Sequence, residues 1–74
     1  MIKLLTTHCP ACKVLEKKLE DAGINYFSIE NEEEIMSYGV MSVPVIVEEN
    51  GNLINFAEAV KILKTSEGIK RLGG

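Results

Sequence analysis

The two cysteines of the chain stand in one tetrapeptide, Cys9-Pro10-Ala11-Cys12, and this placement argues against a fold held together by disulfide bonds. A disulfide across so short a ring stabilises a folded state by only about 2 kcal/mol, because the loop has little entropy to lose. With 74 residues, residues 1–74 form one domain, which depends on a single hydrophobic core and short connections. The adjacent cysteines therefore point to chemistry rather than to a structural crosslink.

Charge and hydropathy narrow the range of partners. The formal net charge is −3 and the lysines are spread along the chain, so we expect no binding to nucleic acid or to anionic lipid. The apolar N-terminal run is too short for a signal-peptide core, and no run approaches the length of a transmembrane helix. We expect a cytoplasmic monomer without a membrane partner.

A strand followed by an amphipathic helix surrounds the cysteines. Residues 2–7 are mostly apolar or β-branched and predict a strand that runs into His8-Cys9. A helix is predicted over residues 10–22, because Pro10 suits its first position and Gly23 suits the left-handed residue after its last turn. Its apolar face is predicted to comprise Ala11, Val14, Leu15, Leu19 and Ala22, and its polar face Lys13, Glu16, Lys17, Glu20 and Asp21.

A second strand and a second helix are predicted next. Residues 24–29 are rich in aromatic and β-branched side chains, and a strand-helix-strand crossover predicts that they pair in parallel with the first strand. Asn31 is a good N-cap for an acidic helix over residues 32–38, which Gly39 can terminate.

The remainder of the chain predicts a hairpin and a closing helix. Residues 43–47 and 53–56 flank Asn50-Gly51, and this pattern predicts two antiparallel strands. A third helix is predicted from the apolar positions after residue 58, with Gly68 marking a break near its end. The fold class is therefore α/β in the order β-α-β-α-β-β-α, with a four-stranded mixed sheet flanked by helices.

The cysteine motif is suited to thiol–disulfide exchange. Cys9 lies at a helix start, where unpaired N–H groups and the helix dipole stabilise a thiolate nucleophile. Cys12 lies one turn later and can resolve a mixed disulfide formed at Cys9. A protonated His8 could tune the reactivity of Cys9, although a lone histidine in a loop is more often simply solvated.

Two other interpretations of the cysteines stay open. They could be an inert pair, or they could bind a soft metal as two thiolate ligands, with His8 as a third. A closed zinc site needs four ligands, and the chain has no further cysteine or histidine. We therefore expect no metal site, and a soft-metal carrier that uses Cys9 and Cys12 is the alternative function.

Two segments together resemble the glutaredoxin and thioredoxin superfamily: residues 7–12, which contain the cysteine motif, and residues 39–44, which end in Val43-Pro44. The resemblance spans nearly the whole chain and implies a thioredoxin-like (glutaredoxin-like) domain. In that family the proline matching Pro44 is cis and lies against the active-site disulfide. The resemblance further implies that Pro10, Ala11, Val43 and Pro44 contact the docked substrate.

Three departures from the glutaredoxin pattern bear on glutathione. Thr6 stands where a glutathione-binding lysine is typical, Ala11 replaces the usual aromatic residue, and Phe56-Ala57 replaces a Gly-Gly turn. The thioredoxin pattern is also incomplete, because the chain has no tryptophan. The electron donor, a reductase or glutathione, is therefore left open.

The sequence predicts an enzyme, a thiol–disulfide oxidoreductase that reduces disulfides of proteins or small molecules. It needs no cofactor besides its own redox-active Cys9–Cys12 pair. Besides the soft-metal carrier, a non-catalytic redoxin-like binding module is a third possibility.

Overall fold

The structure, a computed structural model, describes residues 1–73, which form four strands and four helices. Their bounds are β1 Ile2–Leu5, α1 Pro10–Asp21, β2 Tyr26–Ile29, α2 Glu32–Ser37, β3 Val45–Val47, β4 Leu53–Asn55, α3 Phe56–Ile62 and α4 Ser66–Gly73.

The four strands form one mixed sheet in the order β2-β1-β3-β4. Strand β1 pairs in parallel with β2, where Leu5 lies opposite Ile29, and antiparallel with β3, where Leu5 lies opposite Val45. Strands β3 and β4 form the antiparallel hairpin that the Asn-Gly turn predicted. The predicted α/β class, the four-stranded mixed sheet and the flanking helices are confirmed.

Alternating side chains of the central strand β1 enter two apolar clusters on opposite faces of the sheet. Ile2 and Leu4 belong to the larger cluster, which includes residues of α1, α3 and α4. Leu5 belongs to the smaller cluster, in which Ile35 of α2 packs against residues of β2 and β3. Because successive side chains of β1 point to opposite faces of the sheet, α2 lies on one face of the sheet and α1, α3 and α4 lie on the opposite face.

Helix α1 begins at Pro10 as predicted and ends at Asp21, one residue before the predicted end. Pro10 occupies the first helical position, and Gly23 has a φ of 73°, the left-handed region that glycine adopts without a steric penalty. The N–H of Ile24 then donates to the carbonyl of Leu19 at 2.9 Å. Because this hydrogen bond uses the N–H of Ile24 at the end of α1, β2 begins at Tyr26 instead of the predicted residue 24.

The strands of the hairpin are shorter than predicted, for reasons that the side chains explain. Pro44 has no N–H to give to a sheet ladder, and β3 begins only at Val45. The side chain of Asn55 accepts the N–H of Glu58 at 2.9 Å and so caps a helix. The prediction that Phe56 continues β4 was wrong, because Phe56 is the first residue of α3.

The single closing helix of the prediction is in fact two helices, so the order is β-α-β-α-β-β-α-α. The chain leaves α3 at Leu63, and the hydroxyl of Thr65 accepts the N–H of Gly68 at 3.0 Å, which starts α4. Gly68 therefore lies inside α4 and does not mark the break. Its Cα is so close to the end of α3 that an added Cβ would lie 1.9 Å from the carbonyl oxygen of Ile62.

A salt bridge anchors α4 to the hairpin. The guanidinium of Arg71 donates to the two carboxylate oxygens of Glu48 at 3.1 and 2.7 Å, and this lowers the pKa of Glu48 from its ordinary value.

Within the described residues 1–73, none of the four helices is long and apolar enough to cross a lipid bilayer.

Candidate active site

The loop between β1 and α1 makes one sharp turn before the first cysteine. The hydroxyl of Thr6, just after β1, accepts the N–H of His8 at 3.0 Å, and His8 has a φ of 61°. A left-handed backbone is uncommon for a residue with a Cβ, and here the turn held by Thr6 accommodates it. The turn directs the chain into α1 and places Cys9 at its N-terminus.

Cys9 is the N-cap residue of α1. Its Sγ atom accepts the backbone N–H of Cys12 at 3.3 Å, and its carbonyl accepts the first helical hydrogen bond, from Lys13, at 2.9 Å. The side chain is partly exposed. The sulfur that solvent can reach thus lies at the positive end of the helix dipole, as the sequence predicted.

Cys12 lies one helical turn farther along α1 and is completely buried. The thiol of Cys9 donates to the Sγ atom of Cys12, and the two sulfur atoms are 2.7 Å apart. Both thiols are free. The pair is therefore close enough for a proton to pass from one sulfur to the other, while only Cys9 can meet an outside molecule.

The pKa of the Cys12 thiol is lowered from its ordinary value. Burial is the largest influence and raises this pKa, but it is outweighed by hydrogen bonds with the side chains of Cys9 and Thr6 and with the backbone of Thr7 and Cys9. Cys9 provides the largest of the lowering contributions. The sequence predicted a stabilised thiolate at Cys9 only. In the structure, each sulfur atom accepts a hydrogen bond: Cys9 from the N–H of Cys12, and Cys12 from the thiol of Cys9.

Two carboxylates hold the histidine that precedes the motif. The Nε2 atom of His8 lies 2.5 Å from Oε1 of Glu30, and its Nδ1 atom lies 3.5 Å from Oε2 of Glu16. The hydrogen bond and the charge of Glu30 raise the pKa of His8 above its ordinary value, and Glu16 adds to this effect. His8 is thus held between Glu30, which follows β2, and Glu16 of α1, and these carboxylates favour its protonated form while the ring stays partly exposed to solvent.

Glu16 was predicted on the polar outer face of α1, and this was wrong. Its carboxylate accepts the hydroxyl of Thr6 at 3.3 Å, and only 19% of its side chain is exposed. Val14, which was predicted on the apolar face, is 47% exposed instead. The buried stripe of the helix is narrower than predicted and consists of Cys12, Leu15 and Leu19.

An apolar groove lies beside the cysteine loop. Thr7 and Val43 both line it, so the loop that leads to Cys9 and the residue before Pro44 meet in one depression. The rest of its lining is mainly apolar and comprises Glu32, Ile35, Met36, Val40, Met41 and Ser42.

The remaining predicted docking residues occupy different environments. Pro44 is buried, and the Val43–Pro44 peptide bond is cis. Pro10 is exposed at the start of α1, and Ala11 is partly buried.

Glu16 and Glu30 were not predicted as site residues, and Thr6 was considered only as the replacement of a lysine. One signal was present for Glu16, which stands four residues after Cys12 and thus on the same face of α1. Nothing in the sequence indicated Glu30, which is far from His8 along the chain and reaches it only through the parallel pairing of β1 and β2.

Within residues 1–73, no three histidine, cysteine, aspartate or glutamate side chains converge in a way that could hold a metal ion. No protein-family model, curated protein or solved structure matches this chain.

Proposed function

We propose that this protein is a thiol–disulfide oxidoreductase built on a thioredoxin-like fold of the glutaredoxin and thioredoxin superfamily. One observation carries the proposal. The partly exposed sulfur of Cys9 caps a helix and lies 2.7 Å from the buried sulfur of Cys12. Dithiol–disulfide exchange needs one sulfur atom that a partner can reach and a second sulfur atom close enough to attack the mixed disulfide formed at the first.

The first step is attack by Cys9. In the singly deprotonated pair, the Cys12 thiolate takes the proton of the Cys9 thiol along their hydrogen bond and becomes a thiol, and the thiolate left on Cys9 is stabilised by the N–H of Cys12. This thiolate attacks one sulfur of the partner disulfide. A bond forms between Cys9 and that sulfur, the partner's S–S bond breaks, and the other partner sulfur leaves with the electron pair as a thiolate.

The second step is resolution by Cys12. Its thiol loses a proton, and the resulting thiolate attacks the Sγ atom of Cys9 in the mixed disulfide. The Cys9–Cys12 disulfide forms, and the partner departs as its second thiolate. The partner has gained two electrons, and a reductase or glutathione must return the protein to the dithiol form.

The groove beside the loop gives the partner a place to dock. Its apolar lining reaches from Thr7 to Val43, and a chain that carries a disulfide can lie along it with its sulfur toward Cys9. A polypeptide disulfide fits this open groove, and the departures at Thr6, Ala11 and residues 56–57 give no support for a dedicated glutathione site. The proposal places the protein in the cytoplasm, where thiols are kept reduced.

The reduction of insulin by dithiothreitol tests this function. We expect the wild-type protein to accelerate precipitation of the insulin B chain, and a Cys9→Ser variant to lose that acceleration because the accessible nucleophile is gone. The thermal unfolding of the variant provides the control that its fold is intact. Full activity of folded Cys9→Ser would contradict the proposal.

A soft-metal carrier is the alternative from a different class. It would use the thiolates of Cys9 and Cys12 as its two ligands. Tight stoichiometric Cu(I) binding together with an absence of exchange activity would favour this alternative.

A further inference from the structure

Helix α2 provides one wall of the groove that begins at the cysteine loop. Glu32, Ile35 and Met36 all line the groove, and their spacing of three and four residues puts them on one face of the helix. Ile35 is buried in the smaller apolar cluster, whereas Met36 is 72% exposed. The wall therefore presents an uncovered apolar side chain one helical turn away from a carboxylate.

Glu32 is the single charged residue among the described residues that line the groove. It is exposed, as are its neighbours Glu33 and Glu34, and within residues 1–73 none of the three forms a salt bridge. Glu30 differs from them, because its carboxylate is bound to His8. The negative charge that is open to a partner beside the groove is therefore that of Glu32 and its two neighbours.

The basic side chains lie mainly on the other face of the sheet. No lysine, arginine or histidine stands between Lys18 and Lys61, so β2, α2, β3 and β4 contain no cation that could balance Glu32. Lys3 lies near the beginning of β1, away from the cysteine loop that follows its end, and Lys64 comes after α3. Helices α1, α3 and α4, on the face opposite α2, carry six of the eight lysine and arginine residues: Lys13, Lys17, Lys18, Lys61, Lys70 and Arg71.

This separation of charge gives the groove a preference between partners. A cationic segment that approaches the groove meets carboxylates without competing cations, and it is attracted, whereas an anionic segment is repelled. A lysine or arginine side chain also matches the wall of α2 in its chemistry, because it joins a long aliphatic stem to a charged head. Such a stem can cover Met36 while the head reaches the carboxylate of Glu32, one helical turn away.

We propose that the groove selects polypeptide disulfides that have a lysine or arginine close in sequence to the reacting cysteine. The selection rests on the exchange function proposed above and names its class of substrate. It acts on docking, before Cys9 attacks, so the exchange steps themselves are unchanged. Met41, which is 101% exposed in the same groove, adds a flexible apolar surface for the rest of the segment.

Peptides activated as 2-pyridyl disulfides at a single cysteine test the selection. Three peptides of equal length differ only in the residue after the cysteine, which is lysine, glutamine or glutamate. When Cys9 of the reduced protein attacks, a bond forms between Cys9 and the peptide sulfur, and pyridinethione leaves. This leaving group is neutral and is common to the three peptides, so its absorbance in a stopped-flow experiment gives the rate of attack.

Dipyridyl disulfide measures the reactivity of Cys9 without a peptide to dock. Each peptide rate is divided by the rate of the first phase with this reagent, which corrects for any change in the thiolate itself. The quantity compared among variants is then the ratio of the lysine-peptide rate to the glutamate-peptide rate.

We expect the lysine peptide to react roughly 5- to 20-fold faster than the glutamate peptide at low ionic strength, since one exposed charge pair contributes a factor of about 1.5 to 5 and the two peptides differ by an attraction and a repulsion. High salt should bring the ratio towards one, because exposed charges are screened. Glu32→Gln should lower the ratio by roughly 2- to 5-fold, and Glu32→Lys should lower it further.

Glu67→Gln is the matched control. Glu67 is also an exposed glutamate in the first turn of a helix, but that helix is α4, on the opposite face of the sheet. The substitution removes the same charge from the protein and should leave the ratio at its wild-type value.

Several outcomes would overturn the selection. Equal rates for the lysine and glutamate peptides at low salt would do so, as would a wild-type ratio in Glu32→Gln. A protein that is dimeric at the assay concentration and becomes monomeric in Glu32→Lys would make a second copy the occupant of the groove and would also overturn it. If dipyridyl disulfide releases no pyridinethione, the exchange function fails and the selection with it, whereas a normal reaction with this reagent and no discrimination among the peptides rejects the selection alone.

Discussion

The Sγ atom of Cys12 lies 2.7 Å from the Sγ atom of Cys9, yet Cys12 is completely buried while Cys9 is partly exposed. One turn of helix α1 produces this difference, because Cys9 caps the helix and Cys12 belongs to its buried stripe. The burial that protects Cys12 from outside reagents also deprives it of water as a proton acceptor. The two cysteines thus have unequal access to partners and to protons, which suits an attacking and a resolving thiol.

The pKa of His8 provides a direct test of the contacts at the cysteine loop. His8 is the one histidine in the chain, so its imidazole signals can be followed by NMR without assignment ambiguity. We expect its pKa to lie above 6.5, because Glu30 and Glu16 stabilise the imidazolium. Glu30→Gln should lower it more than Glu16→Gln does, since Glu30 makes the shorter contact. A pKa at or below 6.5 in the wild-type protein would contradict this arrangement.

The same contacts imply a pH dependence of stability. A group whose pKa is raised on folding binds its proton more tightly in the native state. The contribution of His8 to stability is therefore complete below the unfolded pKa of about 6.5 and is lost as the pH rises through the higher folded value. A His8→Gln variant should accordingly differ most from the wild type in acid and least in base.

Leu15 and Val14 are adjacent in α1 but differ in burial. Leu15 has no exposed surface and belongs to the larger apolar cluster, whereas Val14 is 47% exposed. Leu15→Ala should lower the free energy of unfolding by about 2–5 kcal/mol, since it leaves a cavity in the core. Val14→Ala, the matched control, should change it by about 0.5 kcal/mol or less. Urea denaturation followed by circular dichroism measures both, and equal losses would place Val14 in the core.

Replacing Gly68 by alanine is expected to change the stability of the protein in the direction opposite to the one that helix propensity predicts. Glycine to alanine inside a helix usually stabilises by about 1 kcal/mol. At Gly68, however, the added Cβ would lie 1.9 Å from the carbonyl oxygen of Ile62, a backbone atom that cannot easily move. Gly68→Ala should therefore destabilise the protein by about 1–3 kcal/mol.

Gly73 is the control for this substitution. It also lies in α4, and its added Cβ would meet only the Cγ1 atom of Ile24 at 3.5 Å, an ordinary contact. Gly73→Ala should leave the thermal midpoint unchanged or raise it. A rise for Gly68→Ala as well would show that α3 and α4 do not approach each other as closely as described.

Local signals predicted most of the fold. Pro10 and Gly23 bracket α1, and Asn31 caps α2, as the sequence predicted. These signals act within one turn of the chain and can be recognised without tertiary contacts.

The incorrect predictions concern places where a polar side chain caps a helix or forms a hydrogen bond with a residue that is distant in the sequence. Asn55 and Thr65 each accept an N–H three residues later, and these caps outweigh the apolar patterns that predicted a longer strand and a continuous helix. Glu16 is turned inward by the hydroxyl of Thr6, a contact that depends on how α1 packs over β1. Such contacts follow from the tertiary fold and not from the periodicity of one segment.

Trapping the mixed disulfide tests the central claim most directly. Reduced Cys12→Ser and Cys9→Ser variants are each mixed with a peptide that contains one disulfide, and the products are identified by mass spectrometry under non-reducing conditions. We predict a stable one-to-one adduct bonded at Cys9 in Cys12→Ser, because attack proceeds and resolution cannot, and little or no adduct in Cys9→Ser, whose remaining sulfur is buried. An adduct that forms as fast at Cys12 in the Cys9→Ser variant, or no adduct in either variant, would contradict the account.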